Sequence, residues 1–347
     1  MKCMTDAITN EIISKIQSLP KAEARKVIDA IKSLKLFDAS FSDFITEKRF
    51  GTSVFCPRCN SKKVRKNGFN KTMQRFFCAD CNKSFSASTN TITHSSKKTL
   101  EIWQKYVDCM ISGLSVRKSA AIGGICKDTA FKWRHKILDA LQVMHNSVEL
   151  SGVVEADETF FAVSFKGNHK MDGFAMPREA HKRGNDTHIR GISHEKVCVP
   201  CAVTQEGLSI AKPSNLGRVS TKNLSEVFSG RIASNSVLCA DAHHSYQKFA
   251  KENRLELIQL KTGKSKKGIF HVQHINSYHS ILKTWIVRFH GVATKYLDNY
   301  LVWHNFVNWA KDPYEKKSEI LSAFVFCTNK TVKSKELSVR SALPVNI

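Results

Sequence analysis

The chain has 347 residues, which is long enough for two or more domains that each bury a core. Its 54 lysines and arginines outnumber its 30 acidic residues, and the resulting net charge of +24 is spread along the whole chain. This charge favours a nucleic-acid partner, because each neutralised phosphate releases a counterion, although anionic membranes also attract basic surfaces.

The composition also disfavours several protein classes. No stretch approaches the ~18 apolar residues of a membrane-spanning helix, and the charged N-terminal sequence lacks the apolar core of a signal peptide. The chain contains 11 cysteines, and four of them form two close pairs, which is typical of a metal site in a reducing compartment. We therefore expect a cytoplasmic, nucleoid-associated protein with no membrane partner.

Residues 1–50 are predicted to form a helical N-terminal segment. Apolar residues recur there at helical spacing on both sides of Pro20. This pattern is typical of a packing or interaction module, and it indicates nothing more specific.

Residues 51–92 carry two Cys-x-x-Cys motifs, Cys56–Cys59 and Cys78–Cys81. Structural zinc requires four thiolates in a tetrahedron, and each motif places two sulfurs on one side of it. The doubled spacing disfavours four unrelated buried cysteines, so we predict a zinc ribbon with a β-hairpin between the motifs. The zinc would be structural, because four protein ligands leave no position for water. The basic residues expected to meet DNA phosphates are Lys62, Lys63, Arg65 and Lys66.

Residues 95–145 are predicted to be a helix-turn-helix DNA-binding segment. A helix over about 116–122 is followed by Gly123-Gly124 and by a second helix from about Asp128, as in three-helix DNA readers. An ordinary pair of antiparallel helices has the same pattern. The neighbouring ribbon and the overall charge favour DNA binding. The side chains expected to reach DNA are Lys127, Lys132, Arg134 and Lys136.

From residue 150 to 312, strand-like runs alternate with helical ones, which predicts an α/β or α+β domain. In the first run, Glu155 and Asp157 share one strand face, while Glu158 points to the other. A later run carries Asp241. Acids on apolar strands are costly unless they are paired or hold a metal, so acids merely tolerated at strand edges are the less favoured interpretation.

The remaining sequence patterns are a cysteine pair, a helix start and a C-terminal segment. Cys198 and Cys201 lie in a strand-like run where residues three apart point to opposite faces, so we predict two buried thiols and no metal site. A helix is predicted to begin near residue 271, and on it Asn276 and Lys283 lie on one side, two turns apart. Residues 313–347 are predicted to be a C-terminal tail.

The runs ADETFF, CADAHHSY and HINSYHSILKTWIVRFHGVATKYLDNYLVW resemble insertion-sequence transposases of the group numbered fifteen ninety-five. The resemblance covers about residues 51–310. It implies a zinc ribbon in front of a DDE-type, RNase-H-like catalytic domain, an α/β fold with a mixed sheet flanked by helices. It also implies that Asp157 and Asp241 are the first two ligands of catalytic Mg²⁺.

The third ligand position departs from the usual carboxylate. Asn276 stands where most DDE enzymes have glutamate, and a branch of this group is similar in using asparagine. The amide oxygen of Asn276 would bind Mg²⁺ more weakly than a carboxylate, because it brings no charge. The resemblance implies that Lys283 contacts a phosphate at the cut site. Glu155, Glu158 and His274 are candidate auxiliary groups.

The implied activity is in-line phosphoryl transfer with two Mg²⁺ ions roughly 4 Å apart. The enzyme would cleave the ends of an insertion sequence and join them to a target. Its partners would be double-stranded DNA, as terminal inverted repeats and target DNA, and further copies of itself, since two ends must be cut. The alternatives are a non-catalytic, zinc-dependent DNA-binding regulator, and a related RNase-H-like nuclease without strand transfer.

Overall fold

The computed structural model describes residues 14–16, 18–33, 41–70, 73–168, 174–177, 191–260, 266–309 and 314–343. The chain divides into two compact units, Met1–Ala87 and Ser88–Ile347. The helices predicted for residues 1–13 and 34–40 lie outside the described residues, so that part of the expectation has no structural counterpart.

The first unit contains helices and a small antiparallel sheet. Its elements are helices α1 (Lys21–Ser33) and α2 (Phe41–Phe50) and strands β1 (Val64–Asn70), β2 (Met73–Cys78) and β3 (Lys83–Ser86). The sheet has the order β1-β2-β3. The buried rings of Phe76 and Phe85 stack with 5.5 Å between centroids, and Phe50 of α2 meets Phe76 edge-on at 5.8 Å. These three rings form an aromatic core between α2 and the sheet.

Three helices open the second unit, namely α3 (Leu100–Ile111), α4 (Val116–Ile122) and α5 (Lys127–Asn146). Trp103 of α3 and Trp133 of α5 are buried and stack with 3.6 Å between ring centroids. The turn between α4 and α5 contains Gly124 at φ +57°, a left-handed conformation that favours glycine. The helix boundaries therefore follow the predicted break at the two glycines.

A mixed sheet forms the centre of the second unit. Its strands are β4 (Val153–Ala162), β5 (Lys196–Thr204), β6 (Ser209–Ala211), β7 (Asn215–Leu216), β8 (Val237–Asp241) and β9 (Glu256–Leu260). The order is β6-β5-β4-β8-β9, with β7 beside β5. Strand β4 pairs antiparallel with β5 and parallel with β8, and β8 pairs parallel with β9. Because β4 is paired on both sides, its register and the face of each side chain are fixed.

Helices cover both faces of this sheet. They are α6 (Thr221–Phe228), α7 (His244–Glu252), α8 (Gln273–Val287) and α9 (Thr294–Trp309), and a short hairpin of β10 (Lys266–Lys267) and β11 (Phe270–His271) precedes α8. On the first face, Val154 and Ala156 of β4 pack in one core with residues of α6 and α7. On the second face, alternate residues of β5 pack in another core with residues of α8 and α9. Cys198 lies in the first core and Cys201 in the second, which confirms the prediction of two buried thiols on opposite faces.

Helix α5 is packed along α9 and is not a separate module. The amide of Asn299 on α9 donates to Asp139 on α5 at 2.8 Å, and the amide of Asn305 donates to Nε2 of His145 at 3.1 Å. Residues 95–145 and 150–312 are predicted as separate segments, whereas in the structure both belong to one compact unit. The polar contacts along this helix pair explain the difference, because residue spacing within α5 does not reveal its partner.

The expected tail from residue 313 is also corrected. Residues in this region form helices α10 (Tyr314–Cys327) and α11 (Ser334–Ser338). Leu321, Val325 and Phe326 of α10 are fully buried, and Phe326 meets Trp103 of α3 edge-on. The hydroxyl of Ser318 also bonds to Asp108 of α3. Burial of this apolar surface against α3 holds the segment in place despite its basic composition.

Within the described residues, no helix combines the length and the apolar character needed to cross a bilayer.

His145 makes the second unit sensitive to acid. It is 2% exposed, and burial, with Arg231 adding to the effect, lowers its pKa to about 3. In the unfolded chain a histidine has a pKa of about 6.5. As the pH falls below that value, His145 therefore gains a proton in the unfolded chain but stays neutral in the folded chain. We predict that the free energy of unfolding falls by up to about 1.4 kcal/mol per pH unit for this group below pH ~6.5.

Urea denaturation at about pH 7, 6 and 5 measures this slope. His145→Gln, which keeps an acceptor for Asn305, is expected to flatten it. The control His194→Gln changes an exposed histidine and is expected to leave it unchanged. Equal slopes for the wild type and His145→Gln would contradict the assignment.

Candidate active site

Part of the second face of the sheet carries acidic side chains, whereas the part formed by β5 carries apolar ones. Strand pairing aligns Glu155 of β4 with Cys239 of β8, and Asp157 and Asp241 follow two residues later on each strand. Residues in register on parallel neighbours point to the same side, and adjacent strands lie about 4.8 Å apart. The two aspartates therefore lie side by side on the face that α8 covers.

The electrostatics of Asp157 reflect this neighbour. Burial is the main cause that raises its pKa to about 6, and the charge of Asp241 raises it further. The charge of Lys283 acts in the opposite direction, which places this lysine close enough to influence the pair. Asp241 is more exposed and accepts the backbone N–H of His243 at 3.0 Å, at the start of α7. The pair thus combines a half-buried carboxylate with an exposed one.

Helix α8 presents polar groups to these aspartates. Nδ1 of His279 lies 3.8 Å from Oδ2 of Asp157, and burial together with Lys283 lowers the pKa of His279 to about 4. Asn276 precedes His279 by three residues and Lys283 by seven, so all three share one side of the helix. Asn276 is exposed and lies in the first turn of α8. The structure therefore brings Asp157, Asp241 and Lys283 together, with Asn276 on the same helix side.

Glu155 fastens the start of α8 to the central strand. Its carboxylate is 2% exposed and accepts the backbone N–H of Ile275 at 3.0 Å. Nδ1 of His274 lies 2.6 Å away and Nδ1 of His271 lies 3.0 Å away, both from Oε1. These three residues also form a possible metal-ligand set. The two N···O distances are hydrogen-bond lengths, shorter than the ~3.3 Å edge of a tetrahedral zinc site, so the geometry favours a hydrogen-bonded clamp.

Glu158 lies on the other face of β4, as predicted. The hydroxyl of Tyr246 donates to its Oε1 at 2.6 Å, and burial raises its pKa to about 7. Tyr246 belongs to α7 and is fully buried. Glu158 therefore binds the sheet to α7 and does not face Asp157's side of the sheet.

Sequence reasoning named His274 only as an auxiliary group and did not single out His271 or His279. The relevant signal was the spacing His271, His274 and His279 around a helix start, but spacing alone does not say which strand the helix meets. Only the pairing of α8 with β4 turns two of these histidines towards Glu155 and the third towards Asp157.

The four predicted zinc ligands form a cluster in the first unit. The ligand atoms of Cys56, Cys59, Cys78 and Cys81 all lie within 4.8 Å of one another. Sγ of Cys56 is 3.7 Å from that of Cys81, and Sγ of Cys59 is 3.6 Å from that of Cys78. A tetrahedral zinc site with Zn–S bonds of about 2.3 Å has edges of about 3.8 Å. The cluster therefore has the dimensions of a four-thiolate zinc site.

The basic side chains of the first unit line an exposed strand surface. Lys62 and Lys63 precede β1, while Arg65 and Lys66 lie on it, and all four are exposed. Nζ of Lys63 is 3.5 Å from Asp80, and the guanidinium of Arg65 lies 5.1 Å from the centre of the Phe77 ring. Both contacts are solvent-exposed and leave N–H groups for a further partner.

The basic residues of α5 divide into two kinds. Lys127 and Lys132 are exposed near its start. Arg134 is only 6% exposed and donates to the backbone carbonyl of Leu114 at 2.7 Å, so the expected DNA contact is corrected to a structural one. Lys136 is half-buried, and burial lowers its pKa. The available cationic surface of α5 is therefore confined to its first two turns.

Comparison with known proteins identifies the class of the second unit. Residues 149–306 match the family model of the ISXO2-like transposase domain. This region contains all of β4 to β9, α8 and most of α9, so the acidic pair lies inside the matched region. This match, together with a relative from a transposable element, supports an insertion-sequence transposase of the IS1595 type.

Two individual proteins are similar to the chain. One is an uncharacterized protein in the transposable element ISH50 of Halobacterium salinarum, which is 22% identical over 263 residues and spans 75% of this chain and 87% of that protein. The other is a chain in the crystal structure of a pre-cleavage Mos1 transpososome, 9% identical, with 66% of this chain and 80% of that chain covered. Its TM-score is 0.21, which is too low to support an argument about the fold.

Removal of the Glu155 carboxylate is predicted to loosen α8. Glu155→Ala leaves the buried backbone N–H of Ile275 without its acceptor, which costs about 1–3 kcal/mol, and also removes the contacts of the His271 and His274 rings with the carboxylate. We expect the free energy of unfolding to fall by at least about 2 kcal/mol in urea denaturation. Glu155→Gln keeps one acceptor oxygen and should lose less. The exposed control Glu256→Gln is expected to change little, and an unchanged Glu155→Ala would rule out the clamp.

The cysteine cluster is predicted to hold about one zinc ion per chain. Cys59→Ala removes one of four ligands and is expected to abolish stoichiometric zinc in the purified protein, measured by atomic emission. Cys198→Ala is the matched control, because it removes a buried thiol outside the cluster. Zinc retained by Cys59→Ala, or lost equally by the control, would contradict the assignment.

Proposed function

We propose that this protein is a DNA transposase that cleaves and rejoins strands by metal-dependent phosphoryl transfer, and that its catalytic domain is RNase-H-like. The observation that carries the proposal is the pair Asp157 and Asp241, side by side on one sheet face within a transposase domain. The mixed sheet with helices on both faces supports the fold assignment. An enzyme with this activity would act where cellular DNA lies.

The donor groups at the site fit Mg²⁺. The raised pKa of Asp157 shows that burial and Asp241 penalise its negative charge in the absence of a cation. Carboxylate oxygens, with an amide oxygen from Asn276 as a third ligand, are the hard donors that this ion prefers. When bound, Mg²⁺ supplies Lewis-acid activation of the attacking oxygen and stabilisation of the leaving oxygen.

The side chains of the protein would divide the remaining tasks. Asp157 and Asp241 hold their oxygens on one rigid sheet face, where pairing on both sides limits their movement. Lys283 is exposed on α8 and places a positive charge beside them for a phosphate at the cut site. Glu155 keeps α8, and with it Asn276 and Lys283, at a constant position relative to β4.

DNA would be bound outside this site by the zinc ribbon and by a helix-turn-helix formed by α4 and α5. The exposed residues of the two surfaces are Lys62, Lys63, Arg65, Lys66, Lys127 and Lys132. These side chains are suited to phosphate contacts that position a duplex. A regulator without catalytic activity would use the same surfaces, but it leaves the half-buried acid of Asp157 beside Asp241 without a role. We further propose that at least two copies assemble on DNA, since two element ends must be cut.

Neutralising either aspartate is predicted to abolish cleavage. Asp157→Asn and Asp241→Asn each remove a negative charge from the site but keep the size of the side chain. With a labelled duplex that carries the end of its own element and Mg²⁺, we expect nicking to fall by at least about 100-fold, while gel-shift affinity for the duplex is retained. Glu252→Gln, an exposed acid on α7, is the control with unchanged activity. Full nicking by either aspartate variant would overturn the proposed site.

Restoring a carboxylate at the third position is predicted to tighten metal binding. Asn276→Asp adds a negative charge on the helix side that faces Asp157, so the Mg²⁺ concentration for half-maximal nicking should fall by about ten-fold. Ser277→Asp adds the same charge at the next, exposed position of α8, about 100° around the helix, and is the matched control. An equal shift in both variants would indicate a general charge effect and would remove Asn276 from the ligand set.

A further inference from the structure

A cavity of about 380 Å³ lies in the second unit between α5, the turn after α8 and the start of α9. Small-molecule sites in proteins typically measure about 300–1,000 Å³, so this volume admits a single ring system with its substituents. The cavity is distinct from the acidic pair. Its lining residue Phe289 follows Lys283 by six residues, or about 9 Å at the rise of a helix.

Aromatic rings form much of the cavity wall. His135 stacks on Tyr296 with 4.0 Å between ring centroids, and Phe131 meets His135 edge-on at 4.6 Å. Phe289 meets Tyr300 at 4.7 Å, and Tyr300 lies 6.1 Å from His135. Phe131 is 38% exposed although its side chain is apolar. A planar ligand would find ring faces and edges along this wall.

His135 gives the cavity an unused hydrogen-bonding group. Its side chain is fully buried, it lines the cavity, and neither of its ring nitrogens has a hydrogen-bond partner in the part of the chain that the structure describes. Burial and the nearby charges of Arg340, Arg134 and Lys295 lower its pKa to about 3, so the ring is neutral and offers one donor and one acceptor. Buried polar atoms without partners are costly, so a ligand that bonds to His135 would repay this cost.

The charges around the cavity favour an anionic ligand. Lys166 and Lys295 line it, and none of the described residues in its wall is acidic. Nζ of Lys166 donates to the carbonyls of His290 at 2.9 Å and Gly291 at 3.1 Å, which holds the ammonium at the cavity rim. The ammonium has three N–H groups, so one remains for a phosphate oxygen.

We propose that this cavity receives a nucleobase turned out of the DNA duplex, with the base among the rings of Phe131, His135 and Phe289 and its phosphate at Lys166. The inference rests on the proposed function only in that DNA is the partner. The base would bond through its edge to His135, as extruded bases do in pockets that combine stacking with polar contacts. Its role would be to recognise and distort DNA near the cut site.

The test uses two duplexes of about 24 base pairs with the same sequence, one of which carries a single unpaired 2-aminopurine at its centre. Binding is measured in EDTA, so that no cleavage occurs. We expect the wild type to bind the bulged duplex about ten-fold more tightly, since base–aromatic stacking contributes about 1–3 kcal/mol. We also expect the fluorescence of the bound 2-aminopurine to be quenched by stacking.

Three variants assign the effect to the cavity. Phe131→Ala removes a partly exposed ring and is expected to reduce the preference to less than about two-fold. His135→Gln is expected to weaken it by removing the base-edge contact. Val143→Ala truncates another exposed apolar residue of α5 away from the cavity and is expected to retain the full preference.

Equal affinity for the two duplexes would overturn the inference. A preference that survives Phe131→Ala with no quenching would also overturn it, because the bulge would then act through DNA bending. Since this binding needs no divalent ion, it is separable from catalysis. If the protein nicks DNA with Mg²⁺ but shows no preference for the bulged duplex, only the cavity assignment is overturned. If it shows the preference but does not nick DNA, only the catalytic proposal is overturned.

Discussion

The neighbouring carboxylates of the half-buried Asp157 and the exposed Asp241 are the constraint on which the proposed function of the second unit depends. Strand pairing forces them together on a sheet face that elsewhere carries the apolar residues of β5. Burial is the main cause that raises the pKa of Asp157 to about 6, the charge of Asp241 adds to it, and Lys283 opposes it. Such an arrangement persists in a fold when the surrounding packing imposes it and when its charge serves a purpose, which here is the proposed binding of metal ions.

The packing that imposes this arrangement comes from both sides of β4. On one side Glu158 accepts a hydrogen bond from Tyr246 of α7, and on the other Glu155 accepts the backbone N–H of Ile275 and contacts the rings of His271 and His274 at the start of α8. The central strand therefore carries three acids with different tasks, two of which join the sheet to helices. The third, Asp157, is left to face solvent and its neighbour. Because α8 also continues into the turn that lines the aromatic cavity, the position of the proposed cut site and that of the cavity depend on the same helix.

Much of this organisation was predictable from local patterns. The alternation of residues along β4 correctly separated Glu158 from Asp157, and the three-residue spacing of Cys198 and Cys201 correctly placed them in opposite cores. The predictions of a DNA contact for Arg134 and of a tail for the segment of α10 are wrong. A basic side chain and a basic segment are expected to be exposed when their packing partners are not known. In the structure, Arg134 caps a carbonyl at Leu114, and α10 buries Leu321 and Phe326 against α3.

The sequence by itself determined most elements before residue 313 and the faces of the strands, since these follow from periodicity and from residue types at fixed spacing. The tertiary structure alone decided which side chains meet. Asp157 and Asp241 are 84 positions apart in the chain, and only the parallel pairing of β4 with β8 brings them together. The same holds for Glu155 with His274, and for Phe131 with Tyr296, because contacts between distant segments depend on packing that no local pattern encodes.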